Sequence, residues 1–232
     1  MNKEQILSEL RRIEQTYCVG HGFKQYRNYY LPHDVVKNST RLLSFGVNND
    51  TKFENLVCED NDAMQVKLFD PSPVAIDHWK SHDWSRKKQM QFFPIAYAKE
   101  DAIKKFYVRK GVWGASYSLH SNHLEDHERE DISVECLSLK SCMNKVNWDH
   151  VDIIKTDIEG VWEDFSNELL TNNTGVKYWI TEIELNLGNT RQEGLQKMET
   201  MCKRFKDAGW KIYINRVRKK AMSELIFESP QV

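Results

Sequence analysis

The segment Trp210–Glu228, WKIYINRVRKKAMSELIFE, decides how this chain folds. It holds two short strand-like runs, Trp210–Arg216 and Met222–Glu228, joined by the basic stretch Val217–Ala221. Parallel neighbours need a crossover of about a dozen residues or more, so at this separation the two runs form an antiparallel hairpin. The rest of the chain keeps a different rhythm. Working back from the hairpin, Gly209 stops a long helical pattern over about Gln192–Ala208. That helix follows the run Lys177–Leu185 (KYWITEIEL), and a helix over about Val161–Leu170 follows Val151–Ile158 (VDIIKTDI). Further upstream, Arg41–Val47 (RLLSFGV), Gln65–Pro71 (QVKLFDP) and Met90–Ala96 (MQFFPIA) are separated by helical patterns at Thr51–Glu59 and Val74–Lys80. Pro94 has no amide proton for a ladder, which puts its run near a sheet edge. Strands alternating with helices mean βαβ crossovers and a sheet covered on both faces. The expected class is therefore α/β: a doubly wound, mostly parallel seven-stranded sheet ending in an antiparallel hairpin strand.

Two regions stand outside the rhythm. Ile6, Leu7, Leu10 and Ile13 recur at helical spacing, and Gly20, Gly22 and Pro32 break the pattern over residues 17–40. Residues 1–40 thus read as a helical and irregular N-terminal extension, and residues 41–232 as the main domain. Ile103–Val108 is an extra strand, and Gly111–Asp131 is a long polar loop of a length that usually serves function or stays disordered. His120, His123, Asp126 and His127 lie in it at a spacing that fits one helical face. Glu125, Glu128, Glu130 and Asp131 surround them as in a solvated loop, so a lid is the stronger reading and no metal is expected.

Bulk properties narrow the function. The 232 residues are 40% hydrophobic and 29% charged, ordinary for a globular domain, and the formal net charge of -1 does not favour a nucleic-acid partner. Cys18, Cys58, Cys136, Cys142 and Cys202 include no C-x-x-C pair, and an odd count reads as reduced thiols. No run approaches the ~20 apolar residues of a membrane span. A soluble, cytoplasmic protein with no membrane partner is expected.

The chemistry concentrates at strand ends. The first strand ends in Ser44-Phe45-Gly46-Val47-Asn48-Asn49-Asp50. Gly46 lets the backbone turn and approach a ligand closely, and Asn48 and Asn49 tolerate left-handed conformations. Thr51 and Glu54 have capping-box spacing, which starts a helix directly after the turn and offers its N-terminus to an anionic group. Asn48 and Thr51 stand where a G-x-G-x-x-G fingerprint would have glycines, which argues against NAD. Asp70, at the second strand tip and 24 positions after Gly46, suits the acidic residue that accepts ribose hydroxyls. The fourth strand tip, Lys155-Thr156-Asp157-Ile158-Glu159-Gly160, places charges where a central parallel strand should be apolar. Glu182 and Glu184 repeat that anomaly on the fifth strand, as ligand-facing groups or as partners of Lys155.

These residues together resemble the FkbM-type methyltransferases, especially their methyltransferase-like branch. The ordered matches are Ser44-Phe45-Gly46, Asp50 and Phe53-Glu54; Phe69-Asp70-Pro71-Ser72; and Val151-Asp152, Lys155 and Asp157-Ile158-Glu159-Gly160. The resemblance spans roughly residues 40 to 229. It implies a class I, Rossmann-like methyltransferase fold with S-adenosyl-L-methionine as donor, acting on a hydroxyl of a small molecule or glycan. It implies cofactor contacts from Phe45, Gly46, Val47, Asn48, Asp50, Asp70, Pro71 and Ala96, and places Asp157 and Glu159 as catalytic residues at the floor of the site. A non-catalytic nucleoside-binding scaffold and a sugar-nucleotide enzyme are the alternatives.

Overall fold

A computed structural model describes residues 2–21, 24–32, 34–81, 88–109, 129–158, 160–172, 174–185, 190–217 and 222–230. Helix α1 (Lys3–Tyr17) starts at a capping box: Asn2 Oδ1 accepts from the Gln5 amide, and Gln5 Oε1 from the Asn2 amide, both at 2.9 Å. Three short strands come next, β1 (Gly20–His21), β2 (Lys24–Tyr26) and β3 (Tyr29–Leu31). The main rhythm then runs β4 (Arg41–Phe45), α2 (Lys52–Asp60), β5 (Gln65–Phe69), α3 (Pro73–Ser81) and β6 (Met90–Phe93). After β7 (Ala96–Tyr97), β8 (Ala102–Arg109), β9 (Arg129–Leu137) and α4 (Leu139–Lys145) come β10 (Ile153–Thr156), α5 (Trp162–Thr171), β11 (Tyr178–Glu184), α6 (Arg191–Asp207), β12 (Lys211–Val217) and β13 (Met222–Glu228).

The main sheet has the order β1-β12-β13-β11-β10-β4-β5-β6. Strands β4, β5, β6, β10 and β11 are mutually parallel, and β13 runs antiparallel to both β11 and β12. The chain winds outward from β4 to β6, returns to β10 beside β4, winds outward the other way, and ends in the hairpin. This is the class I methyltransferase topology. The sheet has eight strands rather than the seven expected. The segment after α1 returns beside β12, where Val19 N donates to Ile212 O at 2.7 Å and Gly20 and His21 pair with Tyr213 and Ile214, which covers that part of the edge.

The run expected at 90–96 is split. Its ladder stops at Phe93, before Pro94, and β6 is the outer strand on that side. Ala96 and Tyr97 leave the main sheet and pair with Cys136 and Leu137 of β9. The extra strand anticipated at Ile103–Val108 is β8, antiparallel to β9 in a three-stranded sheet. Helix α4, capped by Ser138, is not anticipated by the sequence pattern.

Alternation along the central strands divides the core in two. Leu42, Val66, Ile153, Ile180 and Ile226 face α2 on one side of the sheet. Phe45, Phe69, Phe165, Trp179, Phe205 and Phe227 fill the other side beneath α1, α5 and α6. Trp179 stacks on Phe227 at 4.8 Å and on Phe165 at 5.6 Å, and its indole donates to Thr156 Oγ1 at 2.9 Å, so its polar atom is satisfied at no exposure.

Candidate active site

The tips of β4, β5 and β10 meet at Gly46. Its φ is +75°, and a Cβ there would lie 2.0 Å from the carbonyl oxygen of Asp157. Asp157 N donates to Phe45 O at 2.9 Å, and Gly46 N donates to Phe69 O at 3.0 Å. A side chain would strain the turn and force two strand ends apart, which is why glycine stands there. Asn48 adopts the left-handed conformation, with φ +46°, anticipated for its residue type.

Asp70 clamps this turn from the next strand. It is 6% exposed. Its Oδ2 accepts from Val47 N at 2.9 Å and Asn48 N at 2.8 Å, and its Oδ1 accepts from Ser72 N at 2.8 Å. Ser72 Oγ in turn accepts from Ala75 N in the first turn of α3. A carboxylate oxygen has room for two hydrogen bonds, so Oδ1 keeps one position for a ligand hydroxyl. Asp70 therefore orders two loops as well as facing the cavity.

The other half of the site is built from charged side chains. The capping box expected at Thr51 does not form. Glu54 turns inward instead, fully buried, and accepts from Ser44 Oγ at 2.5 Å. Register explains this: Ser44 pairs with Lys155, so both side chains reach Glu54 from one face of the sheet. Lys155 Nζ lies 3.7 Å from Glu54 Oε1 and donates to Gly46 O at 3.1 Å. Lys155 thus has a carboxylate partner from α2, which its place on the strand had not pointed to. The carboxylate of Asp157 is exposed and accepts from Tyr29 Oη at 3.2 Å. Burial, then the charge of Asp157, pushes the Tyr29 phenol well above its ordinary value, so it stays a protonated donor.

Both halves open on one cavity of about 470 Å³. Gly46, Val47, Asn48, Asp50, Asp70, Pro71 and Ala96 line it on one side, and Lys155, Asp157, Glu182 and Glu184 on the other. The side chain of Phe45 does not line the cavity: it is buried in the core, stacked on Phe69 at 5.1 Å. Glu159 and the run His120, His123, Asp126 and His127 lie outside the described residues. Among the described residues no group of three or more His, Cys, Asp or Glu side chains is arranged to hold a metal ion, and no helix is long and apolar enough to cross a membrane. Sequence reasoning missed Arg27, Asn28 and Tyr29, which enter the lining from the segment read as an extension. The clustering of Tyr26, Tyr29, Tyr30 and Leu31 after two glycines was the signal that region is buried.

No family model matches the chain, and no curated protein sequence matches it. Among solved structures it is similar to a Methanococcus jannaschii fibrillarin pre-rRNA processing protein, at 12% identity and a TM-score of 0.49, over 84% of this chain and 68% of that one. It is also similar to human methyltransferase-like protein 13 in complex with SAH, at 12% identity and a TM-score of 0.44, over 88% of this chain and 76% of that one. An O-methyltransferase family protein from Burkholderia thailandensis aligns at 8% identity and a TM-score of 0.44, over 84% of this chain and 52% of that one. Likeness at this level concerns fold and carries no argument about chemistry.

Proposed function

We propose that this chain is an S-adenosylmethionine-dependent methyltransferase that methylates a hydroxyl oxygen of a small molecule or sugar. The observation that carries the proposal is the convergence of the Gly46 turn, Asp70 and Asp157 on one cavity at the switch point between β4 and β10. Ligands bind outside the carboxyl ends of strands at such a point. The cavity fits the donor: the Gly46 turn lines it, and Asp70 Oδ1 keeps an acceptor position for a ribose hydroxyl. Pro71 and Ala96 line it beside that position, and the turn through Val47, Asn48 and Asp50 would hold the amino-acid end.

When bound, S-adenosylmethionine supplies an electrophilic methyl group on a sulfonium. The chain's own contribution is position and proton handling. Holding the acceptor in line supplies much of the acceleration. Asp157 accepts the hydroxyl proton or orients that hydroxyl, with Glu159 two residues on as the second candidate for the role. Lys155 holds the Gly46 carbonyl and so fixes the turn relative to β10. The cytoplasm is the proposed compartment, in keeping with the reduced cysteines.

Calorimetric titration of S-adenosylmethionine and S-adenosylhomocysteine tests the reading, with NADH and a UDP-sugar as controls. Micromolar binding of the methyl cofactors alone, lost in Asp70→Ala, is the expected result. A folded protein that binds neither methyl cofactor would overturn it.

A further inference from the structure

Tyr29 reaches the site from the opposite end of the chain. Its ring packs edge-on against Phe53, with centroids 4.8 Å apart, and lies under the Lys155 ammonium at 5.6 Å. The β2–β3 hairpin that carries it is held from both sides. On one side, Lys24 Nζ and Tyr26 Oη donate to the two oxygens of Asp60 on α2, each at 2.6 Å. On the other, Tyr30 N donates to Asn215 Oδ1 of the C-terminal hairpin, and Asn215 Nδ2 donates to Glu224 Oε2 at 2.8 Å. With Tyr29 itself only 6% exposed, its hydroxyl has a fixed address, and the acceptor at that address is Asp157 Oδ2.

We infer that Tyr29 is a positioning residue for Asp157, holding one carboxylate oxygen so that the other faces the acceptor. The inference rests on the reading of Asp157 as the group that meets the acceptor's hydroxyl. An exposed aspartate at a strand tip otherwise turns freely about its side-chain bonds, and each lost rotamer is an ordering cost at the moment of reaction. The surroundings make this matter. Asp157, Glu224 of β13, Glu54 of α2 and Glu182 of β11 all bear on the Tyr29 phenol, and Lys155 of β10 is the cation that faces it. Tyr29 is thus a neutral donor among carboxylates, and its protonated hydroxyl is what holds Asp157 in place.

The test reads Asp157 directly and needs no acceptor. Protein labelled with ¹³C at aspartate carboxyls is observed by NMR at a fixed neutral pH, with Asp157→Asn assigning the signal. Removing the hydroxyl in Tyr29→Phe is expected to move the Asp157 carboxyl resonance, because the hydrogen bond from Tyr29 is lost. A residue that only packs would change thermal stability and leave that resonance where it was, and that outcome overturns the inference. A fluorinated tyrosine placed at position 29 keeps the ring and strengthens the donor. It must move the resonance in the opposite sense, which keeps the question answerable if Tyr29→Phe folds poorly. Failure of the wild type to bind S-adenosylhomocysteine would remove the methyltransferase reading, whereas the coupling of Tyr29 to Asp157 is decided by the carboxyl resonance alone.

Discussion

Strand β10 has an aspartate near each end, and the two are different objects. Asp152, before the strand, is 2% exposed and takes donors from the protein on both oxygens. Its Oδ2 accepts from Thr40 N at 2.7 Å and Arg41 N at 3.1 Å, and its Oδ1 meets Lys177 Nζ at 2.8 Å. Asp157, after the strand, is exposed, opens on the cavity and meets the phenol of Tyr29. Asp152 ties the amino ends of β4 and β11 to β10. Asp157 sits where the carboxyl ends of the strands diverge, and there a carboxylate can be left with capacity to spare. A charge that the fold consumes and a charge that the fold presents are told apart here by donors, exposure and cavity lining taken together.

That contrast breaks most sharply under matched isosteric substitutions. Asp157→Asn is expected to lower methyl transfer by about 10²- to 10⁴-fold, the usual worth of a positioned proton acceptor, while leaving the melting temperature and S-adenosylhomocysteine affinity near wild type. Turnover retained in full would remove Asp157 from the chemistry and pass its role to Glu159. The next largest effect concerns a charge within the site that the fold does consume. Lys155→Met leaves Glu54, fully buried, without its cation, and should cost about 3 kcal/mol in urea unfolding. An unchanged midpoint would mean that the pair contributes little.

Gly46→Ala tests the seam between the two halves. The variant must relieve both a φ of +75° and a 2.0 Å approach to the Asp157 carbonyl, so a loss of about 2 kcal/mol in stability should come with weakened cofactor binding. Loss of stability with intact binding would show that the turn re-forms without holding the tips of β4 and β10 together.

The sequence made one side of this molecule readable and hid the other. The βα rhythm, the terminal hairpin and the edge position forced by Pro94 come from local period and proline chemistry, and they locate Gly46, Asp70 and Asp157 because those residues sit at strand tips. Strands β1, β2 and β3 are too short to show a period; β2 and β3 pair with each other, and distant partners fix where all three sit: β12 for Gly20, Asp60 for Tyr26, Asn215 for Tyr30. Tyr29 stayed invisible for the same reason, since its contact with Asp157 spans 128 positions. Glu54 was misread because capping-box spacing is a local signal, and a serine and a lysine from two other strands competed for the carboxylate and won.

The smallest effect is a pH dependence, and it belongs to Asp152. Burial alone would push this carboxyl up, but the Lys177 ammonium and the amides of Thr40 and Arg41 outweigh it and hold it below the ordinary value. A carboxyl with a lower value folded than unfolded stabilises the protein fully above the unfolded value, near 4, and loses that contribution as pH falls through the folded one. Asp152→Asn keeps an acceptor for the two amides and loses the charge facing Lys177. It should therefore be destabilised by about 1 kcal/mol at neutral pH. The gap to wild type should close as urea unfolding is repeated from pH 5 downward, because the wild type gives up its advantage where Asp152 protonates. A gap that stays constant to pH 2 would mean that the ionised carboxylate contributes nothing beyond shape. Asp152 would then be a hydrogen-bond acceptor to the amides of Thr40 and Arg41, whatever its charge.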